Sequence, residues 1–560
     1  FDKDYIMRDI YFPHVGEENH LNGHKNRFGI WIDGQFSWLH NNDWKKEIKY
    51  EKETLVGKSI FIHNEMKVTV EINDAVHHHD TIFLRVAQIH NQSDKAREFR
   101  IFLSHDLQIS ESNIGITAYY DPDTRSVIHY LKNRYFLFGG TGGNGQGIDS
   151  WAAGKAHFGR SKGTFLDAED GELSRNPIDQ GSVDSTIQLS IKLNASEKGK
   201  IEYWMIAGRS YPEVKSKHQE VKKQGIQKAI EANASFDKAW VNKSGLNFKE
   251  ISPKIVELFK RSLLLIKTQI DKDGAIIAAN DSDIVSFSRD HYSYMWPRDG
   301  ALVAYTLDNA GYHNITRKFY EFCCRSITPK GFLPHKLTPS GTVASSWHPW
   351  VDSDEQPILA IQEDETALPL WALWNHYEKT RDIDFIDSIY HNFIEKTGNF
   401  LVKYRDEKGL PLQSWDLWEE RRGIHAFTVA AVYGGLIAAR NFARLFGDGE
   451  MERKFERAAN EIKDATSKYM FDKEKNRFLR MINFSGDGTI KKDMTMDSAI
   501  YAFFEFGMYP ANNEMVVSTM QQLEDRLWIK TEVGGMARYE NDYYHRISDD
   551  IANVPGKIGR

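Results

Sequence analysis

Residues 213–245 read EVKSKHQEVKKQGIQKAIEANASFDKAWVNKSG, a charged run of helix formers that separates two halves of different period. Upstream, from Phe1 to about Gly208, apolar residues recur at every second position. The pattern shows in FGIWIDGQFSWL (28–39), SIFIHNEMKVTVEI (59–72), TIFLRVAQI (81–89), EFRIFLSHDLQI (98–109), STIQLSIKL (185–193) and KIEYWMIAG (200–208). Period two is the signature of strands with one buried face. Turn residues separate them at Asp33-Gly34 and Asp121-Pro122-Asp123, and the glycine-rich FGGTGGNGQG (138–147) reads as a loop, since no P-loop pattern or βαβ unit surrounds it. An antiparallel β-sandwich over 1–210 is the natural reading, with a helical linker over 211–250. Downstream, Ser252-Pro253 is an N-cap followed by proline at the first helical position. From there, apolar spacing and end signals give about nine helices, starting near Pro253, Asp299, Asn314, Asp364, Asp382, Ala426, Asp448, Asp497 and Ala511. Long loops between alternate pairs predict a double ring of helices over 251–560, with a pocket built at one end.

Composition narrows the function. With 72 basic against 79 acidic residues and a net charge of −7, no long block of one sign occurs, so neither a nucleic acid nor an anionic membrane is an expected partner. A neutral substrate fits. No apolar run reads as long enough to cross a bilayer, and the opening FDKDYIMRDIYFP lacks a signal-peptide pattern. The two cysteines, Cys323 and Cys324, are adjacent on an expected helix, which implies no disulfide framework and a reducing, cytoplasmic setting. The cluster His77-His78-His79-Asp80 lies between strands without a further ligand motif, so no metal or other cofactor is expected, and no G-x-S-x-G nucleophile motif is present.

Three segments place charge beside aromatic rings where core packing does not ask for it. In HYSYMWPRDG (291–300), Pro297 sets the backbone before a helix, so Arg298 and Asp299 present a planar donor fork and a carboxylate at the positive helix end, a pairing suited to adjacent sugar hydroxyls. In QSWDLWEERRG (413–423), Asp416, Glu419 and Glu420 lie in an expected interhelical loop flanked by tryptophans. A carboxyl held against indole is poorly solvated when charged, so its pKa is expected to rise toward that of a general acid. In VGGMARYENDY (533–543), Arg538 and Tyr539 follow a glycine pair and by themselves read as a surface loop.

Taken together with FDKDYIMRDIYFPHVGEENH (1–20), FGIWIDGQFSW (28–38) and QEDETALPLWALW (362–374), the segments YMWPRDGALV (294–303), SWDLWEERRGIHAFT (414–428) and GGMARYENDYY (534–544) resemble, in order, glycoside hydrolase family 15, the glucoamylase family, in its bacterial and archaeal form. The resemblance implies an (α/α)6 barrel behind the β-sandwich and an inverting, exo-acting hydrolysis of α-glucans or an α-glucosyl disaccharide. It implies that Glu419 is the general acid and that Arg298 and Asp299 hold the 4- and 6-hydroxyls of the terminal glucose. Tyr292, Trp296, the Leu417 carbonyl and Trp418 would line that subsite. Asp416 would support the acid loop, Glu420 would bind the next sugar, and Arg538 with Tyr539 would complete the aglycone side, along with residues 332–356 containing Trp347 and Trp350.

The likeness breaks off at the end. The family continues through an Asn-Pro-Trp segment into three more helices that carry the catalytic base, whereas Asn553-Val-Pro-Gly556 is followed here by Lys557-Ile-Gly-Arg560. The expectation is a barrel incomplete at its C-terminus, with the base beyond Arg560. Two rivals remain: a glycoside phosphorylase, in which phosphate replaces the second carboxylate, and a sugar-binding protein without catalysis.

Overall fold

The alternating segments pair as the period predicts. In the computed structural model, which describes residues 1–243, 246–280, 291–542 and 544, they form two antiparallel sheets. The larger has nine strands, in the spatial order 178–181, 116–121, 126–131, 134–141, 198–208, 82–91, 68–76, 57–63 and 45–50. The smaller has five, in the order 150–155, 183–193, 97–106, 27–32 and 35–38. Register keeps each apolar set on one face: Lys198–Gly208 pairs with Ile82–Asn91 through Met205↔Phe83 and Ile201↔Ala87. Phe61, Val70, Ile101, Phe99, Phe136 and Leu189 pack into the core between inward faces.

The charged run at 213–245 resolves into two helices, Tyr211–Gln224 and Ile226–Val241, broken at Gly225, whose φ of 86° suits glycine. Val214, Val221, Ile226 and Ile230 pack on the large sheet at Leu84, Ile128, Leu137 and Trp204. The triple histidine belongs to this contact: His78 bonds Asn233 and stacks on Phe236. By contacts the chain divides into one unit of 1–269 with 280–292 and a second of 270–279 with 293–560.

The second unit is helical and belongs with a sandwich-plus-(α/α)6-barrel architecture. Its helices start close to the expected positions, at Pro297, His313, Asp364, Ile383, Ala426, Gly449 and Glu514. Asp382, Asp448 and Asn513 cap three of them, each side-chain oxygen accepting a backbone N–H of the first turn. Asp497 caps a short 3-10 turn, Ser498–Tyr501, that leads into Ala502–Glu505. One expectation needs correction. The helix Ala426–Leu445 is long and apolar enough to cross a membrane by length and composition, but 83% of that window is buried, so its apolarity is that of a core helix. Gly435 lets it approach Asp364–Thr380 closely: a Cβ there would stand 2.9 Å from the Ala367 carbonyl oxygen.

The second correction concerns 413–423. It is not an irregular loop but a β-hairpin, Ser414–Trp415 with Arg422–His425, which extends through Met481–Phe484 and Ile490–Asp493 into a four-stranded sheet. Strands of two to four residues carry no readable period.

Gly300, one residue after Asp299, faces the buried ring of Phe319, whose Cε2 would lie 2.4 Å from an added Cβ. Gly300→Ala overpacks this contact and should lower stability by about 1–3 kcal/mol, read as a fall in the urea midpoint. An unchanged midpoint would mean that the ring has room to move.

Candidate active site

Most polar residues of the site leave the start of a helix or the hairpin. Arg298 and Asp299 lie in the first turn of Pro297–Asn309, while Gln362 to Glu365 lead into Asp364–Thr380. Thr428 opens Ala426–Leu445 and Asp497 caps Ser498–Tyr501. Helix starts carry unsatisfied N–H groups and partial positive charge, which favours the carboxylates gathered there.

Arg298 is the hub. Its guanidinium pairs with Asp364 Oδ2 at 2.9 Å and Glu365 Oε1 at 2.8 Å, lies 3.4 Å from Asp299 Oδ2, and donates to Gln362 Oε1. Its backbone N–H is held by Glu365 Oε2, and Asp364 Oδ1 accepts from Thr428 Oγ1 at 3.1 Å. The side chain is buried, and its carboxylate partners hold its pKa above the ordinary guanidinium value despite that burial. Burial drives Glu365 upward and the neighbouring Asp364 adds to this, against the pull of Arg298. Asp299 remains 44% exposed and is also raised, by the surrounding protein with Glu419 and Asp364, in spite of Arg298.

Glu419 lies at the tip of the hairpin, where its φ of 62° places a non-glycine residue in the left-handed region. Asp416 holds this turn. Its carbonyl accepts from Glu419 N at 2.9 Å, and its Oδ1 accepts from Glu420 N at 2.8 Å and Arg421 N at 3.0 Å. Arg480 clamps the turn from the neighbouring strand pair, bridging Asp416 Oδ2 at 3.2 Å and Asp497 Oδ2 at 3.0 Å, while Trp418 Nε1 donates to the same Asp497 oxygen at 3.0 Å.

Among the described residues, every hydrogen bond to the Glu419 carboxyl falls on Oε1. Trp296 Nε1 donates at 2.6 Å, Gln362 Nε2 at 3.1 Å, and His335 Nε2 lies at 2.7 Å. The expected rise in pKa is therefore reversed. Burial does push the Glu419 carboxyl upward, but the His335 bond, Arg298 and the Trp296 N–H outweigh it and bring it down to about 2.

The other sequence-derived residues divide into groups. Trp296, Arg298 and Asp299 stand with Glu419 as above. Glu420 is held by the Tyr539 hydroxyl, which donates to Oε2 at 2.6 Å. Arg538 makes a two-pronged pair with Asp542, at 2.6 and 2.7 Å, and covers the Trp418 ring at 4.7 Å. Tyr539 is buried beneath Arg480, and Leu417 is half-buried against the barrel core. Tyr292 is half-buried and groups with the first unit. Trp347 and Trp350 are 51% and 60% exposed. Asn553–Arg560 lie outside the described residues.

The sequence model of glycosyl hydrolases family 15 matches residues 257–555, more than half of the chain. This protein is a family 15 glycosyl hydrolase. Over 543 residues it is 27% identical to an uncharacterised glycosyl hydrolase of Methanocaldococcus jannaschii, covering 96% of this chain and 81% of that one. Over 315 residues it is 26% identical to Trehalase 2 of Sulfolobus acidocaldarius, covering 52% and 51% of the two chains. The fold matches a crystal structure of a bacterial glucoamylase complexed with acarbose at a TM-score of 0.73, with 15% identity, over 99% of this chain and 80% of that one.

Within this hydrolase, sequence reasoning missed His335, Gln362, Arg480 and Asp497. Gln362 sits in a motif that was noticed, QEDETALPLWALW, yet none of its residues was given a role. Arg480 and Asp497 join the hairpin only through strand pairing that was not foreseen.

Asp497 gives a testable pH dependence. Burial raises its pKa to about 6 from 3.8, although Arg480 and the Trp418 N–H pull it down. The folded state therefore binds this proton more tightly than the unfolded chain. The contribution is complete below about pH 4 and is lost as pH rises through 6, up to about 3 kcal/mol in all. Asp497→Asn should flatten the fall in urea stability between pH 4 and 7; parallel curves for the two proteins would refute the assignment.

Proposed function

We propose that this hydrolase acts from the non-reducing end of α-glucans or on an α-glucosyl disaccharide, releasing β-glucose by inversion with Glu419 as general acid. The observation that carries this reading is the Glu419 carboxyl: one oxygen is fixed by three N–H groups, its backbone is held in a strained turn, and Arg298 and Asp299 stand beside it. Trp296 walls the same pocket. Asp299 and the Arg298 fork offer an acceptor and donors to adjacent hydroxyls of a terminal glucose. On the other flank, Trp418, Glu420, Arg538 and Tyr539 receive the leaving sugar. The trehalase named among the relatives supports an α-glucoside as substrate class.

A resting pKa near 2 is compatible with this role. A bound neutral sugar excludes water from the pocket and adds no charge, which raises the cost of the ionised form and returns the proton to Glu419. Activity then falls as pH rises through the pKa of the acid in the complex. Inversion requires a second carboxylate about 6.5–9.5 Å from the acid to activate water. Among the described residues, none is assigned that part.

Glu419→Gln keeps the shape and removes the transferable proton. It should lower kcat on maltose, isomaltose or trehalose by about 100- to 10,000-fold, with β-glucose as the first product of the unmodified enzyme by proton NMR. If the glucosyl unit attacked by water emerges as the α-anomer, so that trehalose gives no β-glucose as a first product, or if glucose 1-phosphate forms in a phosphate-dependent way, inverting hydrolysis is excluded.

A further inference from the structure

Among the buried titratable groups that the sugar-binding and acid residues above leave without a role, His335 touches the Glu419 carboxyl directly. His335 is 2% exposed and precedes a buried lysine, Lys336, whose Nζ lies 4.4, 5.3 and 4.3 Å from the ring centroids of Tyr294, Trp296 and Trp347. Its Nε2 lies 2.7 Å from Glu419 Oε1.

The hydrogen bonds around it fix its tautomer. Ser346 Oγ accepts from the backbone N–H of His348 at 3.2 Å and lies 3.1 Å from His335 Nδ1. The ionised Glu419 carboxylate can only accept, so at 2.7 Å it requires the imidazole proton on Nε2; Nδ1 of the neutral ring is then an acceptor, and the Ser346 hydroxyl donates to it. The ring plane is fixed as well: His335 stacks on His348 at 4.2 Å, and His348 stacks on Trp415 at 4.8 Å.

We propose that His335 is a positioning residue for the acid: its Nε2–H, together with Trp296 and Gln362, occupies Oε1 of Glu419 and makes Oε2 the oxygen that carries the transferable proton. An oxygen that accepts three N–H groups has no lone pair left for a proton of its own. The proton must sit on Oε2, and in the reaction the Oε2–H bond breaks as a new O–H bond forms on the glycosidic oxygen. This role rests on the reading of Glu419 as the acid.

The same contact sets the pH range. The charged and titratable groups that face the Glu419–His335 pair are Arg298, Asp299, Lys336 and His348. Burial holds the His335 pKa below its ordinary value, and Lys336 and Arg298 act in the same direction while Glu419 opposes them. The lowered pKa favours the neutral imidazole, which stabilises the Glu419 carboxylate through its hydrogen bond.

The test uses the protein with two variants. His335→Leu removes the donor, while His335→Gln keeps a neutral N–H within reach. In His335→Leu the alkaline limb of the kcat profile should move to higher pH by about one unit or more, and in His335→Gln it should stay near that of the unmodified enzyme. If both variants lose kcat equally with no movement of either limb, the role is merely structural and the proposal falls. A second measurement does not depend on turnover or on the leucine variant folding. Nitrogen-15 NMR of the unmodified protein should show His335 as the Nε2–H tautomer, with its pKa lowered in Glu419→Gln. An Nδ1–H tautomer overturns the proposal. Full activity in Glu419→Gln with the Nε2–H tautomer intact would instead refute the acid assignment and leave the hydrogen bond standing.

Discussion

A single buried guanidinium holds the site together. Arg298 draws Asp299, Gln362, Asp364 and Glu365 onto one centre, and Asp364 passes the connection to Thr428 at the start of the next core helix. A buried charge of this kind is tolerated only when paired and hydrogen-bonded, so the ends of three helices are fixed relative to one another by the requirement to satisfy it. The surrounding apolar packing, with Gly300 against Phe319 and Gly435 against Ala367, lets the helices come close enough for those pairs to form.

Glu419 is attached to this centre through an amide. Gln362 accepts from Arg298 on its oxygen, and this fixes which way its nitrogen points: toward Glu419. The opposite flank is held by a separate clamp, Arg480 between Asp416 and Asp497. The hairpin tip is thus restrained from the helix side and from the sheet side, which is what a residue in the left-handed region needs if it is to stay there.

Much of the architecture was legible from periodicity. Strands of six to eleven residues alternate clearly, and helices open on Asp382, Asp448 and Asn513, whose short side chains cap the first turn. The hairpin was not legible, because strands of two and four residues have no period to read. Nor could sequence alone bring Arg480 and Asp497, 64 and 81 positions further along the chain, to Asp416. The error over Glu419 is more instructive. Trp415 and Trp418, beside Glu419 in sequence, suggest an apolar wall that would raise a carboxyl pKa, yet the carboxylate is met by His335 and by the N–H groups of Trp296 and Gln362.

The electrostatics of the pocket follow from how Arg298 is paired. Asp299, Asp364 and Glu365 crowd its charge, so much of its field is spent within the cluster, and it acts on Glu419 less than the His335 contact does. Glu419 is therefore governed more by its contact with His335 than by the guanidinium. A charge would depress the carboxyl pKa whether or not a sugar were bound. Hydrogen bonds on one oxygen leave the other open to a ligand, and their balance against desolvation changes once water is excluded. The Glu419 carboxylate is thus held at one oxygen, with Oε2 free of hydrogen bonds from the described residues.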